Sequence, residues 1–371
     1  MALGKYKVCV YAISKNEEAF VDRWMDSMGE ADGVIVLDTG STDRTAARLR
    51  ARGAAEFEEI IRPWRFDAAR NAALRHVPED ADICVSTDLD EVFEPGWRET
   101  LEAVWTPEHT RATYLYTWSF RADGTPETQY TREKIHRRQG FRWVRPVHEV
   151  LQFDGQGDEN AVWVEGLVLN HHPDPTKSRA QYLPLLELAA AENPEDDRAA
   201  FWLGREYLFH GLHDRAAEVL KAYLAMPSAR WDEERGAAMR FISQSHEAKG
   251  ARVEARAWLY RAIAECPGVR DPYLAMAALG YREENWPMTY AMAKKGLEIT
   301  RPSGSYLVED ESWGPALNDY CAVAAYRLGL YEEALVNAIS ALGMDASNPR
   351  LRHNVEAIRR AMAAQDVGGA P

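Results

Sequence analysis

Residues 7–18 read KVCVYAISKNEE, and this stretch decides the fold of the first half of the chain. It opens with a short, almost continuous apolar run and turns polar from residue 14 onward. Two similar apolar runs follow at Val34–Leu37 (VIVL) and Ile83–Ser86 (ICVS). Strands of a parallel sheet are apolar throughout because helices cover both faces of the sheet. We therefore predict three buried parallel strands.

Helical patterns separate these strands, at Glu17–Met28, Asp43–Arg52 and Asp67–His76. Strands that alternate with helices predict an open α/β sheet, Rossmann-like and mostly parallel, and we assign it to residues 1–174. In such sheets ligands bind beyond the carboxyl ends of the strands. The polar motifs of this half follow the predicted strands, so they are candidates for a binding site.

After about Pro175 the strand pattern ends, and Ala-, Leu- and Glu-rich helical segments continue to the end of the chain. Small residues in the second helix of a proposed repeat align at Ala216, Ala255, Thr289 and Ala334. Their spacings of 39, 34 and 45 residues resemble a tetratricopeptide repeat of about 34 residues with insertions. We predict an all-α, tetratricopeptide-like domain over residues 175–371, with an unrelated helical bundle as the alternative.

The charge balance opposes nucleic-acid binding. The 371 residues include 44 Lys+Arg and 58 Asp+Glu, for a net charge of −14, whereas proteins that follow a phosphate backbone need a basic face. A local basic stretch runs from Arg132 to Arg145. One interpretation is that this stretch lines a cleft, on the side of the acceptor or of the diphosphate. The other is that it forms a solvated hairpin whose arginines pair with acidic residues of the surface.

The chain shows no signal-peptide pattern and no apolar run of about 18 residues that would predict a transmembrane helix. The four cysteines are scattered without C-x-x-C spacing, so they indicate neither a zinc site nor a disulfide framework. We therefore predict a reduced, cytoplasmic protein.

The most informative motif is VSTDLDEVF at residues 85–93. Asp88, Asp90 and Glu91 follow a buried strand, so their carboxylates should emerge together at its end. Two aspartates separated by one residue can hold a hard divalent cation, which would neutralise a diphosphate and help it leave. Acidic clusters in turns usually face solvent, so this motif alone does not decide between a metal site and a solvent-exposed turn.

Two further motifs occupy similar positions. In LDTGSTDRT (residues 37–45), Asp38 ends a predicted strand, where a carboxylate could accept hydrogen bonds from a base or ribose; residues 41–43 also suit a helix N-cap. In FDAARNAAL (residues 66–74), Arg70 interrupts an Ala-rich helix. Its planar fork would suit phosphate oxygens, although a single arginine on a helix usually faces solvent.

Taken in order, the K-N-E-E, D-T-G-S-T-D, R-N and D-L-D-E motifs resemble the inverting family 2 glycosyltransferases of the GT-A fold, over about residues 5–172. The resemblance implies transfer of a sugar from a nucleoside diphosphate donor, with a UDP-sugar expected, and inversion at the anomeric carbon. It implies a Mn²⁺ or Mg²⁺ ion at Asp88 and Asp90. It also implies that the donor contacts Ile13, Ser14, Glu17, Asp38, Arg70 and Asp88.

FRWVRPVHEVL at residues 141–151 resembles the segment that bears the catalytic base in a subgroup of these enzymes. Glu149 is therefore the candidate that deprotonates the acceptor as it attacks the anomeric carbon. Glu91 competes for an active-site role, but closeness to the metal would make it a poorer base.

LVLNHHPDP at residues 167–175 ends a strand with two histidines. In related enzymes a late histidine can complete the metal site, so the resemblance offers His171 or His172 as ligands and His148 as a further option. A structural histidine at the domain junction is the alternative reading.

The two-domain architecture resembles bacterial enzymes that glycosylate peptides, including those of bacteriocin biosynthesis. Helical repeats often bind extended peptides along a concave face, and they also form dimer interfaces, so we expect a peptide or protein acceptor and a homodimer through the helical domain. A transferase for surface saccharide or lipopolysaccharide core is the nearest alternative. A non-catalytic interaction protein with a vestigial donor domain is the alternative from another class. A nucleotidyltransferase is disfavoured because ISKNEE is not a glycine-rich phosphate loop.

Overall fold

The structure is a computed structural model that describes residues 4–121, 123–174 and 182–368. The chain divides into two units after Ala189. The domain boundary predicted between residues 174 and 175 lies at the edge of the described residues. Within the described ranges, none of the helices combines the length and apolar character needed to cross a bilayer.

The first unit holds ten strands and four complete helices in its described residues. The strands are β1 (Val8–Ser14), β2 (Gly33–Asp38), β3 (Ala55–Glu58), β4 (Ile83–Ser86), β5 (Glu91–Phe93), β6 (Arg111–Phe120), β7 (Pro126–Arg137), β8 (Phe141–Val144), β9 (Val150–Phe153) and β10 (Ala161–His171). The helices are α1 (Val21–Met28), α2 (Thr45–Ala51), α3 (Phe66–Arg75) and α4 (Trp97–Val104), and α5 (Tyr182–Glu192) spans the division between the units.

Eight strands form one sheet in the order β3-β2-β1-β4-β7-β6-β10-β5, and β8 pairs with β9 separately. Strands β3, β2, β1 and β4 are parallel, and β10 is parallel to β6. Because β7 is antiparallel to both β4 and β6, β6 and β10 run in the same direction as β1, β2 and β4. The predicted mostly parallel α/β sheet is confirmed, and six strands, β3 among them, end at one common edge.

Apolar side chains cover both faces of the sheet, as the continuous apolar strands predict. Every side chain of β1 is buried. One face packs under α1 and α4, where Trp24 and Trp97 are almost fully enclosed. The other packs under α3, whose Ala69, Ala72 and Ala73 let the helix lie close to the strands. These layers hold the common strand edge rigidly.

The first helix begins at Val21, four residues later than predicted from the sequence. Residues 15–20 instead form a bent loop, with Asn16 at a positive φ of 55°. The backbone N–H of Glu17 donates to Oγ1 of Thr45 at 2.7 Å, which ties this loop to the start of α2. A tertiary hydrogen bond between this loop and the first residue of α2 therefore replaces the first predicted helical turn.

The second unit consists of helices throughout its described residues, and the all-α prediction is confirmed. The helices are α6 (Asp197–Phe209), α7 (His213–Ala225), α8 (Asp232–Ala248), α9 (Arg252–Glu265), α10 (Asp271–Arg282), α11 (Trp286–Leu297), α12 (Ala316–Arg327), α13 (Tyr331–Met344) and α14 (Pro349–Gly368), with a 3₁₀ turn at Asp310–Trp313. Helices α6 to α13 pair in sequence as four hairpins.

The four aligned small residues occupy the same place in each hairpin. Each is the fourth residue of the second helix, and all are fully buried: Ala216, Ala255, Thr289 and Ala334. A small buried residue of the first helix lies 12 positions earlier in each case: Gly204, Ser243, Ala277 and Ala322. The repeat register predicted from the sequence therefore marks the crossing point of each helix pair.

Candidate active site

Most of the sequence-predicted site residues meet at the common strand edge. Ser14 and Asp38 end neighbouring strands and are register partners. Asp88 lies just beyond β4, and His171 is the last residue of β10. Arg70 reaches the same place from α3, because it bonds to Asp88. The site is therefore assembled from strand ends that lie far apart in the sequence.

Asp38 organises the loop that follows β2. One carboxylate oxygen accepts from the backbone N–H groups of Gly40 at 2.9 Å and Ser41 at 2.7 Å. The other accepts from the hydroxyls of Ser14 at 3.0 Å and Ser41 at 2.5 Å. Gly40 has a φ of +106°, a conformation that glycine adopts without strain. The carboxylate is thus fully bonded within the loop, and its predicted contact with a nucleoside stays a prediction.

The other predicted nucleoside contacts lie around β1. Ile13 is packed in the core cluster under α3, so a contact with a donor would come from its backbone. Glu17 is 8% exposed and sits in the loop tied to Thr45. The structure thus brings Ile13, Ser14 and Glu17 to the same edge as Asp38, while their contacts with a donor stay predictions.

Arg70 joins two acidic segments of the site. Its Nε donates to Oε1 of Glu149 at 2.5 Å, and its Nη2 donates to Oδ1 of Asp88 at 2.7 Å. The side chain is 4% exposed and its guanidinium lies 5.0 Å from the ring centre of Trp143. Burial alone would lower the pKa of Arg70, but the two carboxylates outweigh burial and raise it. Arg70 is therefore a buried cation of the site and does not lie on a solvated helix face.

Lys134 is a site residue that the sequence analysis did not single out. Its Nζ lies 3.3 Å from Oδ2 of Asp88 and 3.7 Å from Oε1 of Glu91. Burial would raise the pKa of Asp88, but the charges of Arg70 and Lys134 outweigh it and lower the pKa below its usual range. The sequence signal that could have identified Lys134 is the alternation of side chains in β7. Arg132 and Lys134 are two positions apart, so they lie on the same face of a strand that pairs with β4.

Glu91 is a structural carboxylate. It is 2% exposed, and its Oε2 accepts the backbone N–H of Asp88 at 2.9 Å. Its Oε1 accepts the hydroxyl of Tyr116 at 2.8 Å. With both oxygens bonded inside the protein, Glu91 holds the D-L-D-E turn in shape, and the role of Glu149 as the base stays a prediction.

His171 is the histidine that faces the carboxylate of Asp90. Its Nε2 lies 3.6 Å from Oδ2 of Asp90, and its Nδ1 lies 3.2 Å from the carbonyl oxygen of Trp118. An Nδ1–H that donates to this carbonyl leaves the Nε2 lone pair directed at Asp90, which is the arrangement found for metal-binding histidines. Burial lowers the pKa of His171, but the hydrogen bond and charge of Asp90 outweigh it, so the net shift is upward.

The other two candidate histidines have different surroundings. The ring of His172 stacks parallel to Phe120 at 5.5 Å and lines a cavity of about 670 Å³. Only its backbone N–H reaches Asp90, donating to the carbonyl oxygen at 2.8 Å. The ring of His148 lies 5.7 Å from that of Tyr182. Geometry therefore favours His171 among the predicted histidine ligands.

Asp90 and His171 supply two ligands of the types that Mn²⁺ accepts. Among the described residues there is no group of three or more His, Cys, Asp or Glu side chains placed to hold a metal ion. Two protein ligands fit a cation that also binds substrate phosphates and water, as Mg²⁺ commonly does. The residues present therefore fit a cation that arrives with a diphosphate.

The charges of this cluster do not balance. It contains the carboxylates of Asp88, Asp90, Glu91 and Glu149 and the cations Arg70 and Lys134, and the buried guanidinium of Arg132 acts on Glu91. With His171 neutral, one negative charge remains. A divalent cation would cancel it and leave positive charge for an incoming anion.

Residues 9–154 match the model of glycosyl transferase family 2. The first unit is a family 2 glycosyltransferase domain. The match contains every donor-binding residue predicted from the sequence, the D-L-D-E turn and Glu149, and it ends before His171. The predicted family, and with it the glycosyltransferase assignment of this domain, is confirmed.

Two similar proteins share part of their length with this chain. A TPR repeat-containing protein of Synechococcus elongatus is 29% identical over 153 residues, covering 40% of this chain and 36% of that protein. The lipopolysaccharide core biosynthesis glycosyltransferase LpsC of Rhizobium meliloti is 24% identical over 153 residues, covering 38% of this chain and 52% of that protein. The chain thus matches between a third and about half of their lengths. A thermophilic TPR protein of Thermus thermophilus covers 47% of this chain at 23% identity, with a TM-score of 0.34.

Proposed function

We propose that this chain is a metal-dependent, inverting glycosyltransferase that moves a sugar from a nucleoside diphosphate sugar, expected to be a UDP-sugar, to an acceptor nucleophile. The observation that carries the proposal is Arg70, a buried guanidinium that joins Asp88 of the D-L-D-E turn to Glu149. Its remaining nitrogen, Nη1, is buried and has no hydrogen-bond partner in the described part of the chain. A diphosphate oxygen would satisfy it with a charge-assisted hydrogen bond.

The donor diphosphate would lie at the common strand edge, between Arg70 and Lys134. Both side chains are already fixed by Asp88, so little conformational freedom is lost when they turn to a phosphate. A Mn²⁺ or Mg²⁺ ion held by Asp90 and His171, with Asp88 as the predicted further ligand, would supply positive charge to the leaving diphosphate.

Glu149 is the proposed base. Its Oε1 is held by Arg70, and Oε2 remains to accept a proton from the acceptor. The acceptor atom would form a bond to the anomeric carbon as the bond to the diphosphate oxygen breaks, and the diphosphate would leave with the electron pair. One such displacement inverts the configuration. Arg70 would set the distance between the base and the leaving group.

Electrostatics supports dependence on a metal ion. The diphosphate of a nucleotide sugar carries about two negative charges and would enter a cluster that already has one in excess. Because like charges repel strongly in a partly buried site, we expect weak donor binding when divalent cations are removed.

The acceptor is proposed at the level of its class. The proposal of a peptide or protein acceptor is based on the presence of the helical second unit. Similarity to LpsC supports the alternative of a saccharide acceptor. A homodimer through the helices and a cytoplasmic location stay predictions. The fully formed carboxylate cluster argues against the alternative of a vestigial, non-catalytic domain, since a decayed site would be expected to lose carboxylates.

The test is release of nucleoside diphosphate from a panel of nucleotide sugars, with Mn²⁺ present and then with excess chelator. We expect one donor to be hydrolysed slowly, the reaction to stop with chelator, and Asp90→Asn to lose at least about a hundredfold in rate. Asp158→Asn, at an exposed loop position, is the matched control. Activity that survives both chelator and Asp90→Asn would contradict metal dependence. No release and no thermal stabilisation by any donor would favour the non-catalytic alternative.

A further inference from the structure

Residues 298–315 connect α11 to α12 and account for the longest spacing between the aligned repeats. Part of this connection, residues 303–309, lies against the first helices of three hairpins; we call it the strap. Helix α6 contacts α8, α8 contacts α10, and α10 contacts α12, so these first helices share one side of the stack. The strap crosses that side.

Two strap residues make most of the specific contacts. The ring of Tyr306 stacks on Trp202 of α6 at 5.7 Å and 15°, and its hydroxyl donates to Glu234 of α8 at 2.9 Å. Glu309 pairs with Arg240 of α8 at 2.6 Å. The backbone N–H of Glu309 donates to Asp271 of α10 at 2.9 Å. Between them, Leu307 packs against the apolar cluster of α6 to α8.

Glu234 and Arg240 are buried on the helix side, whereas on the strap side Tyr306 is half-buried and Glu309 is exposed. Arg240 is 3% exposed and its strap partner Glu309 is 46% exposed. Glu234 is also buried, and it accepts from Tyr223 of α7 as well as from Tyr306. A buried cation such as Arg240 needs a counter-charge. The receiving groups thus belong to the folded helices, and the strap is the part that can leave.

The start of the strap is exposed and makes one side-chain contact with the helices. Pro302 and Ser303 are exposed, the Ser303 hydroxyl donates to Glu233 of α8 at 2.8 Å, and a Cβ added at Gly304 would meet no atom within 4 Å. The surface beneath offers a flat indole, a carboxylate that accepts a hydrogen bond from a phenol hydroxyl, and a buried guanidinium that donates to a carboxylate. These groups select an extended peptide with a tyrosine followed by an acidic residue three positions later.

We propose that the strap is an intramolecular ligand on a peptide-binding surface, and that the partner which replaces it is an extended peptide with a tyrosine and, three residues later, an acidic residue. This surface lies wholly within the second unit. The proposal goes beyond the transfer reaction and does not depend on it, because it is tested by binding.

The test uses a fluorescein-labelled peptide with the sequence of residues 303–310, SGSYLVED, and fluorescence anisotropy. The full chain with Tyr306→Ala and Glu309→Gln should bind it, since the strap loses its anchors while the helices keep theirs. The unsubstituted chain should bind at least about tenfold more weakly, because a tethered segment competes at millimolar effective concentration. A peptide with alanine and glutamine at the two anchor positions should bind neither protein.

Glu311→Gln is the matched control, because it removes an exposed carboxylate just beyond the strap and should behave like the unsubstituted chain. A doubly substituted chain that keeps its helical circular dichroism but does not bind the peptide would overturn the proposal. If that chain does not fold, hydrogen exchange of the unsubstituted chain decides. Excess peptide should then speed exchange of the Glu309 amide, and unchanged exchange at millimolar peptide would overturn the proposal.

Discussion

At the scale of single residues, burial and neighbouring charge decide which acidic groups can do chemistry. Glu91 and Glu149 are both acids of the site, yet Glu91 has both oxygens bonded, to Asp88 and to Tyr116, whereas Glu149 accepts from Arg70 through one oxygen. The D-L-D-E motif predicted a carboxylate cluster. Only the fold shows that Arg70 and Lys134 neutralise part of it.

Lys134→Met tests the contribution of the lysine to donor binding. Loss of its charge leaves Asp88 and Glu91 less neutralised, so we expect a nucleoside diphosphate to bind about tenfold more weakly in the presence of Mn²⁺, measured by titration calorimetry. Lys134→Arg should restore part of the affinity, and Lys249→Met, which removes an exposed lysine of the second unit, should leave it unchanged. Equal affinity of Lys134→Met and the unsubstituted chain would exclude Lys134 from the donor site.

At the scale of elements, small residues set how closely helices cross. Gly204 of α6 faces Leu220 of α7, and a Cβ at position 204 would lie 2.5 Å from Leu220 Cγ. Leu220 is fully buried and so has little freedom to yield. The glycine is therefore required by packing, since its backbone is helical and would accept any residue.

Gly204→Ala should lower the free energy of unfolding of the second unit by about 1–3 kcal/mol, because overpacking a crossing forces shifts of side chains and backbone. Gly343→Ala is the matched control, since this glycine also lies in a helix but has no atom within 4 Å of an added Cβ. Alanine there should raise the free energy of unfolding by about 0.5–1 kcal/mol. Urea unfolding followed by circular dichroism compares the two, and equal effects would show that the crossing tolerates a methyl group.

At the scale of the whole molecule, a buried hydrogen-bonded chain links separate parts of the first unit. Trp143 of β8 donates through Nε1 to the hydroxyl of Tyr11 of β1 at 2.8 Å, and that hydroxyl lies 2.9 Å from Nε2 of His136 of β7. Nδ1 of His136 lies 2.7 Å from the carbonyl oxygen of Arg137. Burial lowers the pKa of His136 to about 3, despite an opposing effect of this carbonyl. The ring is therefore neutral in the folded protein.

This histidine makes stability depend on pH. Between about pH 6.5, the pKa of an unfolded histidine, and the folded value, the unfolded state binds the extra proton, so stability is present above pH 6.5 and falls as the pH falls. We expect His136 to account for a loss of about 1 kcal/mol between pH 6 and pH 5. His136→Gln keeps a donor and an acceptor without titrating, so urea unfolding should show a flatter pH profile for it. His353→Gln, at an exposed position, should keep the profile of the unsubstituted chain; equal profiles for all three would contradict the assignment.

The sequence by itself determined that the first half is an α/β sheet and the second half is all-α. The spacing of apolar residues along a segment is a local property, and it decides whether a strand or a helix can bury them. The strands β1, β2 and β4 and the buried small residues at Ala216 and Ala334 follow from that pattern. The late start of α1 does not follow from it, since that start depends on a hydrogen bond between Glu17 and Thr45, which are 28 positions apart.

The motifs likewise named the acidic turn, because strand ends of a parallel sheet share one edge. Arg70 stood out in an Ala-rich helix, and Glu149 was named by the family resemblance of its segment. Tertiary structure alone decided that Lys134 enters this cluster, that His171 faces Asp90 while His172 stacks on Phe120, and that the strap covers the helices. These contacts join residues far apart in the chain, and no local pattern encodes which of several similar side chains will meet. The distances between these side chains, and the charges that each of them faces, are set only when the sheet and the repeats have packed.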